Sequence, residues 1–483
     1  MTPRRTFAAR RILTLSSAAA LVACSDTAPP TASTPVETAP AVAARTAPPF
    51  SSYIVVYKDG TGLQAPQAGA RITASMQAMP EGVIVETLES LNAIVVAGAA
   101  PEKLQAMADV QAVVPNYEHQ IIDPAPSAAT ITTITDAQPT GTNQSGAFFF
   151  GNNTQWDMKR VQVDRAWIPS RGGLGSKVCI VDSGIDAGHS SFIGKSIVAT
   201  SLLPNSSPVD SNFHGSHVAG TISTNGFGNA SMTPDASLMV AKVFNAAGGG
   251  ATTAIVLGAV QWCADNGADV INMSLGFTGG VPRAGNQAFI AFYQAGLDYA
   301  TSRGVLIVAA AGNDAAVLPH ATNIWLPAEA SGVVSVAATG PASDLTPFGL
   351  NAIWNIPGAS FDGIASYSNR GTFPSVAVSA PGGNRPSGTW PVQSLIISPC
   401  SRFAHPSCVS GNNFAFAAGT SMASPHVAGL AALIRGRWPT AVRGTTLRNR
   451  IEQCIYRSTD VIGSASTFGR GRINAYKAMT MPC

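Results

Sequence analysis

The chain has 483 residues, with 29 lysines and arginines against 26 aspartates and glutamates, a net charge of +3. Over this length that balance is too slight to argue for nucleic acid or an anionic surface as the partner. Hydrophobic residues make up 46% and charged residues 11%, enough for a large buried core, and the length suits two domains and a linker.

The chain opens with Arg4, Arg5, Arg10 and Arg11, followed by an apolar run over residues 12–23. This run is too short to span a bilayer as a helix and fits a cleaved export signal, residues 1–24. Its end, Leu21-Val22-Ala23-Cys24, resembles the lipobox of bacterial lipoproteins, which makes Cys24 a lipidation candidate and a membrane anchor the expectation. A plain secretory signal with an incidental cysteine is the other reading. Residues 25–49 are rich in Pro, Thr and Ala and cannot bury enough surface to order themselves, so they read as a tether.

Residues 50–122 read as a small α+β domain. Strands are expected at 53–57, 83–88, 93–97 and 110–114, with a helix over 68–79 and another opened by Pro101, where Leu104 and Met107 share a face. The order βαββαβ is ferredoxin-like. Residues 123–153, rich in Thr, Pro, Gly and Asn, read as a linker.

From residue 154 to 483, strands alternate with helices, which predicts an α/β domain with a mainly parallel sheet flanked by helices. Apolar runs suited to doubly covered strands occur at 177–181, 238–244, 270–273, 305–310 and 333–337. In such sheets the chemistry gathers beyond the carboxyl ends of the strands.

Asp182 follows one of these runs, before Ser183-Gly184. A carboxylate there is costly unless its charge is accepted, although a lone Asp-Ser-Gly also suits a cap. His214 stands in Asn212-Phe213-His214-Gly215-Ser216-His217 at the start of a predicted helix, with glycine beside it leaving room for a ligand. His217 reads as a packed histidine, since nothing nearby completes a zinc-like set with the two rings. Gly419-Thr420-Ser421-Met422-Ala423-Ser424-Pro425-His426 leads into an apolar helix. Ser421 is therefore expected at a helix N-terminus, where backbone N–H groups favour negative charge, with Pro425 in the first turn.

The run from Gly419 to Gly429 resembles the nucleophile motif of the subtilisin-like serine proteases, and the order Asp, His, Ser agrees with that family. The resemblance implies a catalytic triad of Asp182, His214 and Ser421, with His214 as base and Asp182 orienting it. It implies an oxyanion hole from the Asn313 amide and the Ser421 N–H. It makes Ser274, Leu275 and Gly276 the edge that pairs with substrate peptide, with Ala310, Ala311 and Gly312 lining a roomy pocket before the scissile bond. The 50–122 domain is similar to the family's inhibitory propeptides, so the chain's own propeptide becomes an intramolecular inhibitor and the linker carries the processing site. Protein or peptide substrates and a monomer are expected. No cofactor enters the chemistry. For a structural calcium the 223–235 stretch offers a single carboxylate, Asp235, so no metal site is assigned. Residues 341–362 and 383–412 read as insertions near the groove.

Six cysteines remain besides Cys24, and an even count in an exported chain points to disulfides. The expected pairs are Cys400 with Cys408 and Cys454 with Cys483. Cys179 and Cys263 are either bonded or small buried thiols. Three rival readings stay open: a binding lipoprotein on this fold, an enzyme that cuts only its own propeptide, and a lipase or esterase.

Overall fold

Two sheets organise the structure, a computed structural model that describes residues 51–60, 72, 82–121, 131–135, 137–341, 361–384 and 394–483. The export signal, Cys24, the tether, the 68–79 helix apart from Ile72, and most of the 341–362 insertion lie outside the described residues.

The first sheet is antiparallel and contains β1 (Ser52–Tyr57), β2 (Val83–Leu88), β3 (Ala93–Ala97) and β4 (Val110–Pro115), in the order β2-β3-β1-β4. Helix α1 (Pro101–Gln105) begins on its proline, whose missing N–H would have had no intrahelical partner, and buries Leu104. Alternation along the strands divides their side chains between two faces. Val55, Tyr57, Ile94 and Val96 close a small core with Leu104, while Ile54, Ala93, Val95 and Val114 face the rest of the protein.

The second sheet is mainly parallel. Its strands are β6 (Lys177–Asp182), β7 (Ile197–Ser201), β8 (Ser237–Lys242), β9 (Val270–Met273), β10 (Leu306–Ala310), β11 (Val333–Gly340) and β12 (Val378–Pro381), with short edge strands β15 (Thr459–Asp460) and β16 (Arg472–Ile473). They lie in the order β15-β16-β12-β11-β10-β9-β6-β8-β7. Val178 and Ile180 enter one core and Cys179 and Val181 the other, and the neighbouring strands follow suit. Helices α2 (His214–Ile222) and α5 (Thr420–Gly436) cover the first face. Helices α3 (Thr253–Asp265) and α4 (Gln287–Thr301) cover the second and also receive the N-terminal sheet. Burial on both faces explains why these strands read as unbroken apolar runs.

The described part of the 123–153 stretch departs from a linker. Within it β5 (Ile131–Thr133) joins a three-stranded antiparallel sheet with β13 (Ile396–Pro399) and β14 (Asn413–Ala417). Phe149 and Phe150 are buried, and the Gln144 side chain donates to Thr224 O and accepts from Ser231 N. The Thr, Pro and Asn composition that suggests a linker conceals these aromatic anchors. The 383–412 insertion likewise contributes β13 to the body.

Among the described residues three disulfides are present: Cys179–Cys263, Cys400–Cys408 and Cys454–Cys483. The first two cysteines are therefore bonded, tying β6 to α3, and are not free thiols. Among the described residues no helix is long and apolar enough to cross a membrane.

Candidate active site

The sheet order brings the carboxyl ends of β6, β9 and β10 side by side: Asp182 is the last residue of β6, and Ser274 and Asn313 follow β9 and β10 within a few residues. Asp182 closes β6 and is fully buried. Its Oδ1 accepts from Ser183 N at 2.7 Å and from His214 Nδ1 at 2.8 Å. A carboxylate only accepts, so Nδ1 carries the hydrogen and Nε2 is left as the ring's acceptor.

His214 is the first residue of α2, and Asp210 sets that start. Its Oδ1 accepts from Asn212 N and Phe213 N, both at 3.0 Å, and from Ser183 Oγ at 2.9 Å. Its Oδ2 accepts from Ser216 N at 2.8 Å, so one buried carboxylate satisfies several otherwise unpaired donors at the turn. Phe213 is held at φ 91°, a conformation that costs about 1–3 kcal/mol for a residue with a side chain. Ser183 Oγ in turn accepts from Gly215 N at 2.8 Å, and the buried Lys242 ammonium donates to Ser183 O. Burial holds the Lys242 pKa below its ordinary value, opposed by Asp210 and Asp182. Sequence reasoning missed Asp210 and Lys242. An aspartate just before a predicted helix start is a capping signal that points to the first, while nothing in the apolar run of β8 singles out the second.

Gly215 does not leave room for a ligand. A Cβ there would lie 2.1 Å from Gly184 O, so the glycine serves the close approach of α2 to the turn after β6.

Ser421 is the second residue of α5 and is fully buried. Its Oγ donates to Ser274 O at 3.3 Å. Pro425 lies in the second turn and not the first. A residue with an N–H at 425 would donate to Ser421 O, and proline cannot. The vacant acceptor is taken instead by Ser274 Oγ at 2.9 Å. The Ser274 hydroxyl also meets Ser424 Oγ at 3.0 Å and accepts from Asn272 Nδ2 at 2.9 Å. Ser274 thus turns its side chain into the protein to hold α5, leaving the backbone of Leu275 and Gly276 at the groove.

Asn313 accepts through Oδ1 from Thr420 N at 3.0 Å and Thr420 Oγ1 at 2.8 Å, which makes its amide nitrogen the donor end of the side chain. The turn before it is fixed by Asn369, whose Nδ2 donates to Ala311 O at 2.8 Å while its Oδ1 accepts from Asp314 N and Ala316 N. Gly312 has φ 106°, and a Cβ there would lie 2.4 Å from Asn369 Nδ2. Asn369 is a second omission of the sequence reading, being distant in the chain and unmarked by any motif. Ala310 and Ala311 are buried.

The Leu275–Gly276 edge has a partner from the chain's own N-terminal region. Gln120 forms an antiparallel bridge with Gly276, donating its N–H to Gly276 O at 3.0 Å. On the other side His119 N donates to Ala251 O at 2.8 Å and Thr253 N donates to Tyr117 O at 2.7 Å. Residues 117–120 therefore lie as a strand between two edges, the arrangement of a bound peptide.

His217 packs beneath the site, its Nε2 against Ile396 O and Ala415 O, and burial lowers its pKa to about 3. Among the described residues no group of three or more His, Cys, Asp or Glu side chains is placed to hold a metal, and Asp235 is hydrogen bonded by Thr142.

Residues 173–471 match the Subtilase family. The chain is 32% identical over 333 residues to a thermophilic serine proteinase of Bacillus sp. (strain AK1), covering 68% of this chain and 67% of that protein. It is 31% identical to thermitase of Thermoactinomyces vulgaris over 333 residues, covering 68% and 96%. Among solved structures, fervidolysin from Fervidobacterium pennivorans, described as a keratinolytic enzyme related to subtilisin, superposes with a TM-score of 0.66 at 21% identity. That match covers 90% of this chain but only 61% of fervidolysin. The epidermin leader peptide processing serine protease of Staphylococcus aureus gives 0.65 at 19% identity, covering 89% and 97%. At these identities the two structures speak for the fold alone, and it is the family match together with the relatives above 30% identity that assigns the chain: it belongs to the Subtilase family and is a serine endopeptidase.

Proposed function

We propose that the chain is made as an exported zymogen that cuts itself and then hydrolyses other proteins through Asp182, His214 and Ser421. The observation that carries this reading is the antiparallel bridge of Gln120 to Gly276, which lays the chain's own N-terminal region along the edge leading to Ser421. Residues 50–122 would then act as the inhibitory propeptide, and residues 1–24 as the export signal with Cys24 as the lipid-anchored residue. The mature enzyme is expected to act as a monomer.

In the reaction the Ser421 hydroxyl attacks the scissile carbonyl carbon while its proton passes to His214 Nε2. Asp182 holds the ring by Nδ1 and stabilises the imidazolium. The oxyanion is taken by the Asn313 amide and the Ser421 N–H at the start of α5, where the helix dipole adds its field. The imidazolium then protonates the leaving amine, and water repeats the sequence on the acyl-enzyme.

Expression from residue 25 onward, beside Ser421→Ala, with intact mass and casein hydrolysis as readouts, tests the reading. Loss of the N-terminal region and casein digestion by the wild type only would support it. Identical behaviour of both proteins would overturn it.

A further inference from the structure

His119 occupies a pocket that a peptide substrate would meet at the same place. It sits on the 117–120 strand and its side chain is fully buried between Phe277, with ring centroids 4.1 Å apart, and Tyr293, at 5.5 Å. Both ring nitrogens are engaged. Nδ1 lies 3.1 Å from Ala251 O and Nε2 lies 2.8 Å from the Tyr293 hydroxyl. A carbonyl only accepts, so Nδ1 carries the hydrogen, Nε2 is the acceptor, and Tyr293 O–H donates to it. The ring is held neutral, in one tautomer, with both of its hydrogen-bonding atoms matched. Burial supports this by lowering the His119 pKa to about 3 against the Ala251 hydrogen bond.

The two rings beside it belong to a larger aromatic group. Phe289 lies 5.9 Å from Tyr293 and 6.0 Å from Phe277. Tyr293 comes from α4, is itself fully buried, and points its one polar atom at the peptide strand. A hydroxyl in such surroundings discriminates in two directions. A phenyl group in place of the imidazole leaves it without its partner, and an unmade buried hydrogen bond is penalised more than a made one is rewarded. A lysine or arginine must give up its hydration, and the described contacts of His119 offer it no carboxylate.

From this geometry we propose that Tyr293 is a specificity-determining residue, selecting peptide substrates that present a neutral histidine at the position His119 occupies. The inference rests on the peptidase reading above, because it takes the 117–120 strand as the image of a substrate. It adds a chemical preference that the apolar walls alone would not produce, since those favour phenylalanine or leucine.

The test uses internally quenched peptides copying residues 115–127, with His119 kept or replaced by His119→Phe, His119→Ala or His119→Lys. They are assayed at pH 8 with the processed enzyme and with a Tyr293→Phe variant. The wild type should cleave the histidine peptide with a kcat/KM about tenfold above the phenylalanine peptide, the scale of one matched buried hydrogen bond. Tyr293→Phe should remove that ratio or reverse it, and its cleavage of the phenylalanine peptide shows that it is folded. A wild type that prefers phenylalanine, or a Tyr293→Phe enzyme that keeps the histidine preference, would overturn the proposal. Absence of Ser421-dependent cleavage of every peptide and of casein would overturn instead the peptidase reading beneath it.

Discussion

The Ser274 hydroxyl donates at 2.9 Å to the carbonyl of Ser421, the acceptor that Pro425 leaves without an intrahelical partner. Two features far apart in the chain are thereby complementary: a proline that would weaken α5, and a serine beyond β9 that repairs it where the nucleophile sits. Ser274→Ala should strand a buried carbonyl and lower unfolding stability by about 1–3 kcal/mol. In a Pro425→Ala background, where residue 425 again offers an N–H, the same change should cost markedly less. Urea denaturation of the four proteins in this cycle measures the coupling, and strict additivity would contradict it.

Asp182 holds His214 by Nδ1 at 2.8 Å. Asp182→Asn keeps the shape but offers an amide where the ring needs an acceptor. Turnover at pH 7 should fall by about 10⁴-fold, the scale known for loss of the correct tautomer, with melting temperature changed far less. Initial rates on a chromogenic peptide are the check.

Asn313 is fixed by its oxygen to Thr420, so its nitrogen end is the donor offered to the oxyanion. Asn313→Ala should reduce kcat by about 10²–10³-fold and leave KM little altered, because the interaction forms with the transition state. A change mainly in KM would place Asn313 in ground-state binding.

The docked His119 has a pKa lowered to about 3 by burial, against 6.5 for an ordinary histidine. Its described contacts, Ala251, Phe277 and Tyr293, carry no charge near neutral pH, and burial pushes the Tyr293 pKa up. The released segment therefore binds a proton that the docked one does not, and docking is strongest above pH 6.5 and weakens as pH falls from there towards 3. The inhibition constant of an added propeptide should be about tenfold weaker at pH 5.5 than at pH 7.5. His119→Phe should flatten that dependence. His189 and His217, lowered to about 4 and about 3, are buried within the catalytic body and bear on its unfolding instead.

Gln120 lies opposite Gly276, and Ser274, two residues before that glycine, presents the carbonyl that meets the Ser421 hydroxyl. We therefore expect self-cleavage after Ile122, giving a mature N-terminus at Asp123. Edman sequencing of the processed protein reads this directly, and an N-terminus beyond residue 125 would contradict the register.

The parallel sheet was legible because strands covered on both faces appear as short apolar runs, and Asp182, His214 and Ser421 were singled out because each stands in a recognisable local string. What escaped the sequence depends on distance. Asp210 and Asn369 act through hydrogen bonds to backbone, a role open to any Asp or Asn, and only the fold shows which ones are aimed at a site. Pro425 was misplaced because a proline is harmless only in the first turn, and a helix that starts at Thr420 puts it in the second, where it removes a bond. The packing of residues 131–153 was hidden by their polar composition, since Ile134, Phe149 and Phe150 are too few to form a periodic pattern.

The most direct test is to label the processed enzyme with a fluorophosphonate and map the adduct by peptide mass spectrometry. A single adduct on Ser421 is expected, lost in His214→Ala although that protein remains folded. An adduct on another residue, or undiminished labelling of Ser421 without His214, would contradict the assignment of nucleophile and base.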